Sequence, residues 1–512
     1  MRANKWAVAM TVMLPTFIEI MDTSVVNVSL PHIQGSLSAG LDEVTWVLTS
    51  YLVSNAIIIP ISGWLAGLFG RKRYLLFSVM LFVGSSVVCG AAPSLAVLVI
   101  ARVLQGIGGG GLQPLSQAIL LETFPQEEHG MAMAFFGMGV VMAPILGPVV
   151  GGWVTDHLTW RWIFYINLPV GVLGVLLILL IIQDPPYIRR KLLRMDRWGL
   201  FLLAVGLGAL QVVLDKGQRD DWFSSRFILY LSVLSASALL AFVLVELRTS
   251  HPVVNLRTFR YRSFASGCTI MFAGFFSLFG TLVLLPLYLQ DLMNYTALWA
   301  GLVLGPGGLA SFLVMPVAGV LMRKGVNPRT LLALGLMIMA YSMWLMSAFN
   351  LNASFFAISW PRVVMGFGIG LFFVPLAAST FVGISKEETG NASGIFNLLR
   401  NLGGSFGVAI GTTVLARRAQ VHQNFLVENV TPYSLAFQGY YAQVRQWLES
   451  HDPSASFGRG PLAAVYQEVL RQANMLAFND AFLLLGWITA LLLPLTLLMK
   501  KPEGPAPLGM AH

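Results

Sequence analysis

The sequence carries few charged residues for its length. Asp, Glu, Lys and Arg make up only 11% of its 512 residues, whereas a soluble chain usually has about 25%. Hydrophobic residues account for 56%, which is more apolar surface than a soluble core can bury. The shortage of charge therefore excludes a soluble globular protein and predicts an all-α polytopic membrane protein.

Cysteine is equally scarce, and the motifs of common enzymes are missing. Cys89 and Cys268 both lie in apolar runs and offer neither a disulfide framework nor a metal cluster. The sequence contains no HExxH motif and no Walker phosphate loop. GIGGGG (106–111) fits the dinucleotide fingerprint, but it lies inside an apolar run and not between a strand and a helix. We therefore expect no enzyme activity, no metal site and no bound cofactor.

Long apolar runs dominate the sequence. A helix needs about 20 apolar residues to cross a membrane, and we identify fourteen predicted spans. They lie at 6–30, 44–69, 73–92, 95–121, 130–154, 161–183, 198–214, 226–247, 264–290, 297–322, 330–349, 355–382, 391–416 and 478–499. An even number of spans places both termini on one side of the membrane.

The basic residues indicate which side that is. Of the 32 Lys and Arg residues, 20 lie in termini and loops on the side of the N-terminus, nine lie on the other side and three lie within spans. Because cytoplasmic loops are enriched in Lys and Arg, both termini are predicted to be cytoplasmic. The net charge of +9 then reflects topology, and we expect no nucleic-acid partner. The basic stretch 189–197 is expected to lie on the anionic inner leaflet.

The two ends of the chain resemble each other. ARVLQGIGGGG (101–111) is similar to PRVVMGFGIGL (361–371) at an offset of 260, and three further pairs match in order at offsets of 255 to 260. The repeat predicts a six-helix half at 1–185 and a second at 263–512, with two inserted helices and linkers at 186–262. Two parallel six-helix repeats with a binding site at their interface are the architecture of the major facilitator transporters.

Four stretches also resemble signatures of that superfamily. IARVLQGIGGGG (100–111) resembles the signature of the fourth helix, and GVVMAPILGPVVGGW (139–153) resembles the antiporter motif of the fifth helix. MDTSVVNVSLP (21–31) resembles the first-helix motif of drug:proton antiporters, and WRWIFYINLPVG (160–171) is also typical of those antiporters. With fourteen helices, the chain is most similar to the DHA2 branch of drug:proton antiporters, and within it to EmrB-type multidrug efflux subunits. GWLAGLFGRKR (63–73) departs from the family, because Gly67 and Leu68 replace an acid and a base. We therefore do not transfer the gate-latching role of that acid.

The fifth-helix motif combines small residues with proline. Small residues let helix backbones approach closely, and proline removes a helical hydrogen bond. Such a face suits a helix that seals one side of a transporter against the other half and then releases; ordinary close packing is the alternative. The residues of this gating hypothesis are Pro144, Gly147, Pro148, Gly151 and Gly152.

Two acids and an arginine lie deep within predicted spans. A charge at the membrane centre costs about 2.5–3.5 kcal/mol on insertion scales. From the helical rise, Asp22 lies roughly 6 Å and Arg102 about 9 Å to the periplasmic side of the midplane, so we expect the two to pair. Glu19 lies near the midplane. Glu19 and Asp22 are three residues apart and project from one helix face, and two carboxylates that close disfavour double ionisation.

These residues form our proton-coupling hypothesis, in which protons are the coupling ion. Asp22 is predicted to take a proton from the periplasmic side and release it to the cytoplasm, with Arg102 as its electrostatic switch. Glu19 is either a second carrier or a substrate contact. A purely structural buried ion pair is the alternative for Asp22 and Arg102.

The C-terminal repeat lacks the matching acid. Arg362 repeats Arg102, but the counterpart of Asp22 is Ser277, and Arg400 also has no acid in its repeat. Three arginines against two carboxylates favour lipophilic anions or weak acids as substrates. The alternative for Arg400 is hydrogen bonding to nearby backbone carbonyls.

We expect the substrate cavity to be mainly apolar with a few polar anchors, as drug-sized sites usually are. The candidates for its wall are Asn27, Asn55, Gln113, Asn397, Arg362, Arg400, Trp46, Phe136 and Phe276. For each aromatic residue, packing against lipid or the core is the alternative.

The long segment 417–477 contains two amphipathic stretches, at 434–450 and 461–476. In the second, apolar residues recur at helical spacing, and together the stretches predict a periplasmic helical hairpin. The family resemblance implies that it docks a periplasmic adaptor that leads to an outer-membrane channel. The alternative is a surface cap on the transporter itself.

The resemblance and the membrane charges predict a proton-driven exporter of lipophilic toxic compounds, or multidrug efflux antiporter, in the inner membrane of a bacterium. Its partners would be lipophilic small molecules, the lipid bilayer, and the adaptor and channel. A proton-coupled nutrient or metabolite symporter is one alternative, and a non-transporting membrane receptor is another.

Overall fold

A computed structural model describes residues 4–184, 196–250, 252–451 and 460–499. Within these ranges the chain is helical and contains no strand. The helices are α1 (Lys5–Leu37), α2 (Leu41–Val44), α3 (Trp46–Phe69), α4 (Arg71–Ala91), α5 (Leu95–Gly109), α6 (Leu112–Thr123), α7 (His129–His157), α8 (Trp162–Tyr165), α9 (Asn167–Ile181), α10 (Arg197–Lys216), α11 (Arg226–Arg248), α12 (Arg262–Leu287), α13 (Ala297–Arg323), α14 (Pro328–Met346), α15 (Phe355–Thr380), α16 (Thr389–Glu428), α17 (Leu435–His451) and α18 (Gly460–Ala490). The all-α fold class is confirmed.

Some expectations fall on residues outside these ranges. The predicted boundary at 185–186 and most of the basic stretch 189–197 lie there, as does the tail after residue 499. The division into two repeated halves stays a prediction. We use "N-terminal helices" for α1–α9 and "C-terminal helices" for α12–α18.

Thirteen helical segments of the described chain are long and apolar enough to cross a membrane. They coincide with thirteen of the fourteen predicted spans. The remaining span, 391–416, lies within α16, which carries Asn397, Arg400 and Asn401 and is therefore less apolar. α16 packs against α3, α12 and α18 inside the same bundle. We therefore count it as a spanning helix, which brings the total to the fourteen that were predicted.

The fourth span is broken where glycines bring three helices together. α5 ends at Gly109 and α6 begins at Leu112, so the span predicted as one helix is two. A Cβ on Gly106 would lie 2.6 Å from the backbone oxygen of Tyr51, and one on Gly108 would lie 2.5 Å from the backbone nitrogen of Phe82. The glycine run therefore lets α5 fit closely between α3 and α4.

The glycines of the gating hypothesis pack differently from the prediction. A Cβ on Gly147 would collide with Ser24, and one on Gly151 would lie 3.1 Å from the Cα of Val25. Both contacts are with α1, so these two glycines do not face the other half, although α7 itself packs against α13 and α15 as expected and Pro144 lines the cavity between them. Gly152 has open space around it. The glycine face serves contact within the N-terminal helices, and its role in gating stays a prediction.

α7 meets the C-terminal helices at other positions. A Cβ on Gly319 of α13 would lie 3.1 Å from the backbone oxygen of Gly130. Further along α7, a Cβ on Gly137 would lie 2.6 Å from the ring of Phe373. These contacts lie toward the end of α7 that the charge distribution assigns to the cytoplasm.

The same end of the bundle is closed by contacts between α3, α6 and α16. A Cβ on Gly63 would lie 2.5 Å from the backbone carbonyl carbon of Gly390. The Asn397 amide donates to Oε1 of Gln117 at 2.6 Å, and the Ser393 hydroxyl donates to the backbone oxygen of Pro114 at 2.9 Å. We call this group of contacts the inner closure.

The segment 417–477 is largely an extension of two spanning helices. α16 continues to Glu428, and α18 runs without a break from Gly460 to Ala490. Both predicted amphipathic stretches are helical, but the second, 461–476, is not a loop helix: it is the first half of the last spanning helix. α17 is a distinct helix and packs against α18.

Candidate functional site

A cavity of about 580 Å³ lies in the centre of the bundle. Drug-sized ligands occupy cavities of about 300–1,000 Å³. The walls come from α1, α3, α6, α7 and α10 on one side and from α12, α13, α15 and α16 on the other. The wall is mainly apolar, with a small number of charged and amide side chains.

The cavity reaches only one end of the bundle. Its lining extends to Asn27, Gln218 and Thr412, near helix ends that the charge distribution assigns to the periplasm. At the opposite end, the inner closure separates the cavity from the predicted cytoplasmic side. The cavity is therefore lined toward the end of the bundle that carries Asn27, Gln218 and Thr412, and it is closed at the other end.

Asp22 and Arg102 form an ion pair enclosed by protein. Nη1 of Arg102 lies 2.5 Å from Oδ2 of Asp22, and neither side chain is exposed. The side-chain amides of Gln105 and Asn167 donate to Oδ1 of Asp22 at 3.0 and 2.9 Å. Nε of Arg102 donates to the backbone oxygen of Val47 at 3.0 Å. We call these residues the Asp22 cluster; neither charge of the pair lines the cavity.

Glu19 has a separate environment, and its carboxylate does line the cavity. It accepts hydrogen bonds from Nε2 of Gln113 at 2.6 Å, from the Tyr51 hydroxyl at 3.0 Å and from Nδ2 of Asn55 at 3.1 Å. The charge of Arg400 also acts on it. Although both acids come from one face of α1, each is held by its own donors.

Arg362 is a buried cation without a partner in the described chain. It lines the cavity, is only 3% exposed, and its Nε and Nη1 atoms have no hydrogen-bond partner. Arg400 also lines the cavity, but its Nη2 donates to Oδ1 of Asn401 at 3.1 Å. The acceptor for Arg400 is thus the side-chain amide of Asn401 and not a backbone carbonyl, which was the predicted alternative. Leaving a buried charge unpaired is costly, so Arg362 is where the cavity most requires an anion.

The other predicted cavity residues divide into two groups. Asn27, Asn55 and Gln113 line the cavity. The residues that lie elsewhere are Asn397, Phe136, Phe276 and Trp46.

Each of these four residues has another role. Asn397 belongs to the inner closure. Phe136 of α7 stacks on Phe373 of α15, with ring centroids 6.3 Å apart. Trp46 lies under the Lys216 ammonium group, which is 4.5 Å from the ring centroid. Phe276 is buried against the α12–α16 contact, where its backbone meets Gly407. The prediction of Phe276 for the cavity wall was therefore wrong: the adjacent Phe275, one residue earlier on α12, lines the cavity instead.

Sequence reasoning missed three residues of the site. Asp215 of α10 lines the cavity and accepts a hydrogen bond from Thr49; it lies one residue beyond the predicted end of the seventh span. Tyr51 contacts both charged centres. Asn167 lies in WRWIFYINLPVG, a stretch that resembles the family signature. That resemblance could have marked Asn167 as a candidate.

The fold and the charged central cavity define a polytopic membrane carrier. A family model described as "Major Facilitator Superfamily" matches residues 12–408, and the chain belongs to that superfamily. Its fold and the predicted resemblance are thereby confirmed.

Two curated relatives match nearly the whole chain. Multidrug export protein EmrB of Haemophilus influenzae is 38% identical over 481 residues, which cover 93% of this chain and 91% of that protein. Fatty acid resistance protein FarB of Neisseria gonorrhoeae is 34% identical over 497 residues, which cover 97% and 96%. Among solved structures, the human organic anion transporter MFSD10 (TETRAN) has the same fold, with a TM-score of 0.61 at 17% identity, over 95% of this chain and 99% of that one.

Proposed function

We propose that the protein is a proton-driven exporter of lipophilic compounds. The observation that carries the proposal is an enclosed ion pair, Asp22–Arg102, immediately behind the wall of a drug-sized cavity. The relative named multidrug export protein EmrB supports export as the direction of transport. The apolar helices and the relative named multidrug export protein EmrB support a location in the inner membrane, and the distribution of Lys and Arg supports cytoplasmic placement of both termini.

In the proposed cycle, a proton binds at the Asp22 carboxylate. The neutral acid no longer attracts the Arg102 guanidinium by charge, so Arg102 then depends on neutral contacts with Gln105, Val47 and the rings of Tyr51 and Phe164. Weakening this pair loosens α1 against α5, and α1 also carries the cavity residue Glu19. Protonation behind the wall thus alters the cavity in which the substrate is bound.

Glu19 is the acid that meets the substrate. It lies on the cavity wall, and its three hydrogen-bond donors come from α3 and α6. A negatively charged substrate that approaches the Glu19 carboxylate repels it and so disturbs these three hydrogen bonds. We therefore assign substrate contact to Glu19 and the enclosed proton site to Asp22.

The cavity favours substrates with one negative charge. The sequence analysis counted three arginines against two carboxylates and did not include Asp215, which also lines the cavity. That excess of positive charge is therefore wrong for the cavity. The anion preference is instead supported by Arg362, whose guanidinium has no acid beside it in the described chain. The name of the relative FarB, a fatty acid resistance protein, fits the same chemistry.

Arg362→Gln should selectively weaken transport of acids. Loss of a charged hydrogen bond costs about 1.5–3 kcal/mol, which corresponds to a roughly 10- to 150-fold loss of affinity for naphthoic acid. Its methyl ester has the same apolar body without the charge and should bind the variant and the wild type equally. Affinity measurements on purified protein check this, and equal losses for acid and ester would contradict the anion preference.

Everted membrane vesicles test the direction of transport. With an inward-acidic proton gradient, these vesicles should accumulate naphthoic acid through the protein, and collapse of the gradient should stop accumulation. A nutrient symporter would accumulate its substrate in right-side-out vesicles instead. Absence of substrate-linked flux in both preparations would favour the receptor alternative.

A periplasmic adaptor is the partner that we propose for the end of the bundle formed by α16, α17 and α18. Apolar side chains are exposed there, including Phe425, Leu435, Trp447 and Leu462. The adaptor would connect the exporter to an outer-membrane channel. Copurification of an adaptor with the full chain tests this; recovery of the exporter alone under gentle solubilisation would favour the surface-cap alternative.

A further inference from the structure

Tyr51 connects the two acidic centres of α1. Its hydroxyl donates to Oε1 of Glu19 at 3.0 Å. The guanidinium carbon of Arg102 lies 4.2 Å from the centroid of its ring, within the range of an attractive cation–π contact. Tyr51 is 1% exposed, so one rigid side chain contacts the cavity acid at its tip and the enclosed ion pair on its face.

The surroundings leave Tyr51 little freedom to move independently. A Cβ on Gly109 would lie 2.9 Å from the Tyr51 hydroxyl oxygen and 3.1 Å from Cγ of Glu19. One turn earlier on α3, the backbone oxygen of Val47 accepts from Nε of Arg102. α3 therefore holds Arg102 at two points, and glycine at position 109 makes room for the contact between Tyr51 and Glu19.

Each acid has a full set of neighbours besides Tyr51. Glu19 faces Asn55 of α3 and Gln113 of α6, and the charge of Arg400 of α16 acts on it. Asp22 faces Arg102 and Gln105 of α5 and Asn167 of α9. No direct hydrogen bond joins Glu19 to Asp22 in the described chain, so Tyr51 and the backbone of α1 are the connections between them.

We propose that Tyr51 is a positioning residue that couples substrate contact at Glu19 to the Asp22–Arg102 pair. When a substrate displaces the Glu19 carboxylate, or when the carboxylate takes a proton, the Tyr51 hydroxyl loses its charged acceptor. The ring is then no longer anchored at its hydroxyl, and its contact with Arg102 beside Asp22 weakens. This inference rests on the proposed function and adds the physical link between its two acids.

A double-mutant cycle measures that link. The affinity for naphthoic acid is determined for the wild type, Glu19→Gln, Asp22→Asn and the pair, and again for the same four proteins carrying Tyr51→Phe. Contacts in one network show non-additive effects, and we expect a coupling factor of about five- to tenfold with Tyr51 present. With Tyr51→Phe, which keeps the ring but not the hydroxyl, the factor should fall to about one.

Two further variants make the result specific. Tyr74→Phe removes another buried tyrosine hydroxyl, which contacts neither acid, and should keep the full coupling. Gly109→Ala places a methyl group against the Tyr51–Glu19 contact without changing a polar group, and should reduce the coupling as Tyr51→Phe does.

Undiminished coupling in the Tyr51→Phe series would overturn the inference. So would an equal loss of coupling in Tyr74→Phe, because a general loosening of the bundle would then explain both. Failure of the proposed function has a different signature: naphthoic acid would release no protons from the wild type, or would release as many from Asp22→Asn.

Discussion

Arg102→Met should destabilise the protein by about 3–5 kcal/mol, the usual cost of removing one partner of a buried ion pair. Methionine fills a similar volume but leaves the Asp22 carboxylate enclosed without its cation. The Gln105 and Asn167 amides still donate to Asp22, but neutral donors do not replace the charge. Equilibrium unfolding of purified protein in a graded detergent mixture, against the wild type, measures the loss.

The double variant Asp22→Asn with Arg102→Met provides the control. Because it removes both charges, no carboxylate is left unpaired, and replacing a whole buried pair is often neutral. Most of the lost stability should return, while proton coupling should not. A single variant as stable as the wild type would show that water or another cation reaches Asp22, and would contradict the enclosed pair.

Gly63→Ala should reduce transport by at most about two orders of magnitude. The added methyl group would lie 2.5 Å from backbone atoms of Gly390 and Asn391, which cannot move aside as a flexible side chain can. Overpacking of this kind costs about 1–3 kcal/mol, and the cost applies only when the inner closure is formed. The equilibrium constant for forming the closed state should therefore fall by roughly 5- to 150-fold, and initial rates in everted vesicles report the loss.

Gly67→Ala is the matched control, one turn further along the same helix. A Cβ at Gly67 has no neighbour within 4 Å, so the variant should transport normally. Its helix should gain about 0.5–1 kcal/mol because alanine replaces glycine. Equal transport rates in Gly63→Ala and Gly67→Ala would contradict the assignment of Gly63 to the inner closure.

The spanning helices were predictable because each must present apolar side chains over the membrane thickness. The same hydropathy pattern could not show where the helices continue outside it. The polar extension of α16 to Glu428 and the amphipathic start of α18 at Gly460 resemble loop helices in sequence. The break before Leu112 was hidden for another reason: it follows from contacts of α5 with two neighbouring helices.

The site was predictable where depth alone decides proximity. Asp22 and Arg102 lie at similar heights on adjacent helices, and their contact follows from helical rise. Side-chain direction was harder, since a shift of one residue on α12 exchanges Phe276 for Phe275 on the cavity wall. Asp215 was missed because its helix brings it to the cavity from outside the repeated segments, and Tyr51 because a neutral residue gives no signal in a survey of charges.

The most direct test of the account is proton release on addition of substrate to the purified protein. In weakly buffered detergent solution, naphthoic acid added as its pH-matched sodium salt should release protons from the wild type, in proportion to the fraction bound. Asp22→Asn should still bind the compound through Arg362 and the apolar wall of the cavity but release far fewer protons. Release from Asp22→Asn at the wild-type level would contradict the assignment of the coupling proton to Asp22 and would show that another acid carries it, whereas absence of release from the wild type would contradict proton coupling itself.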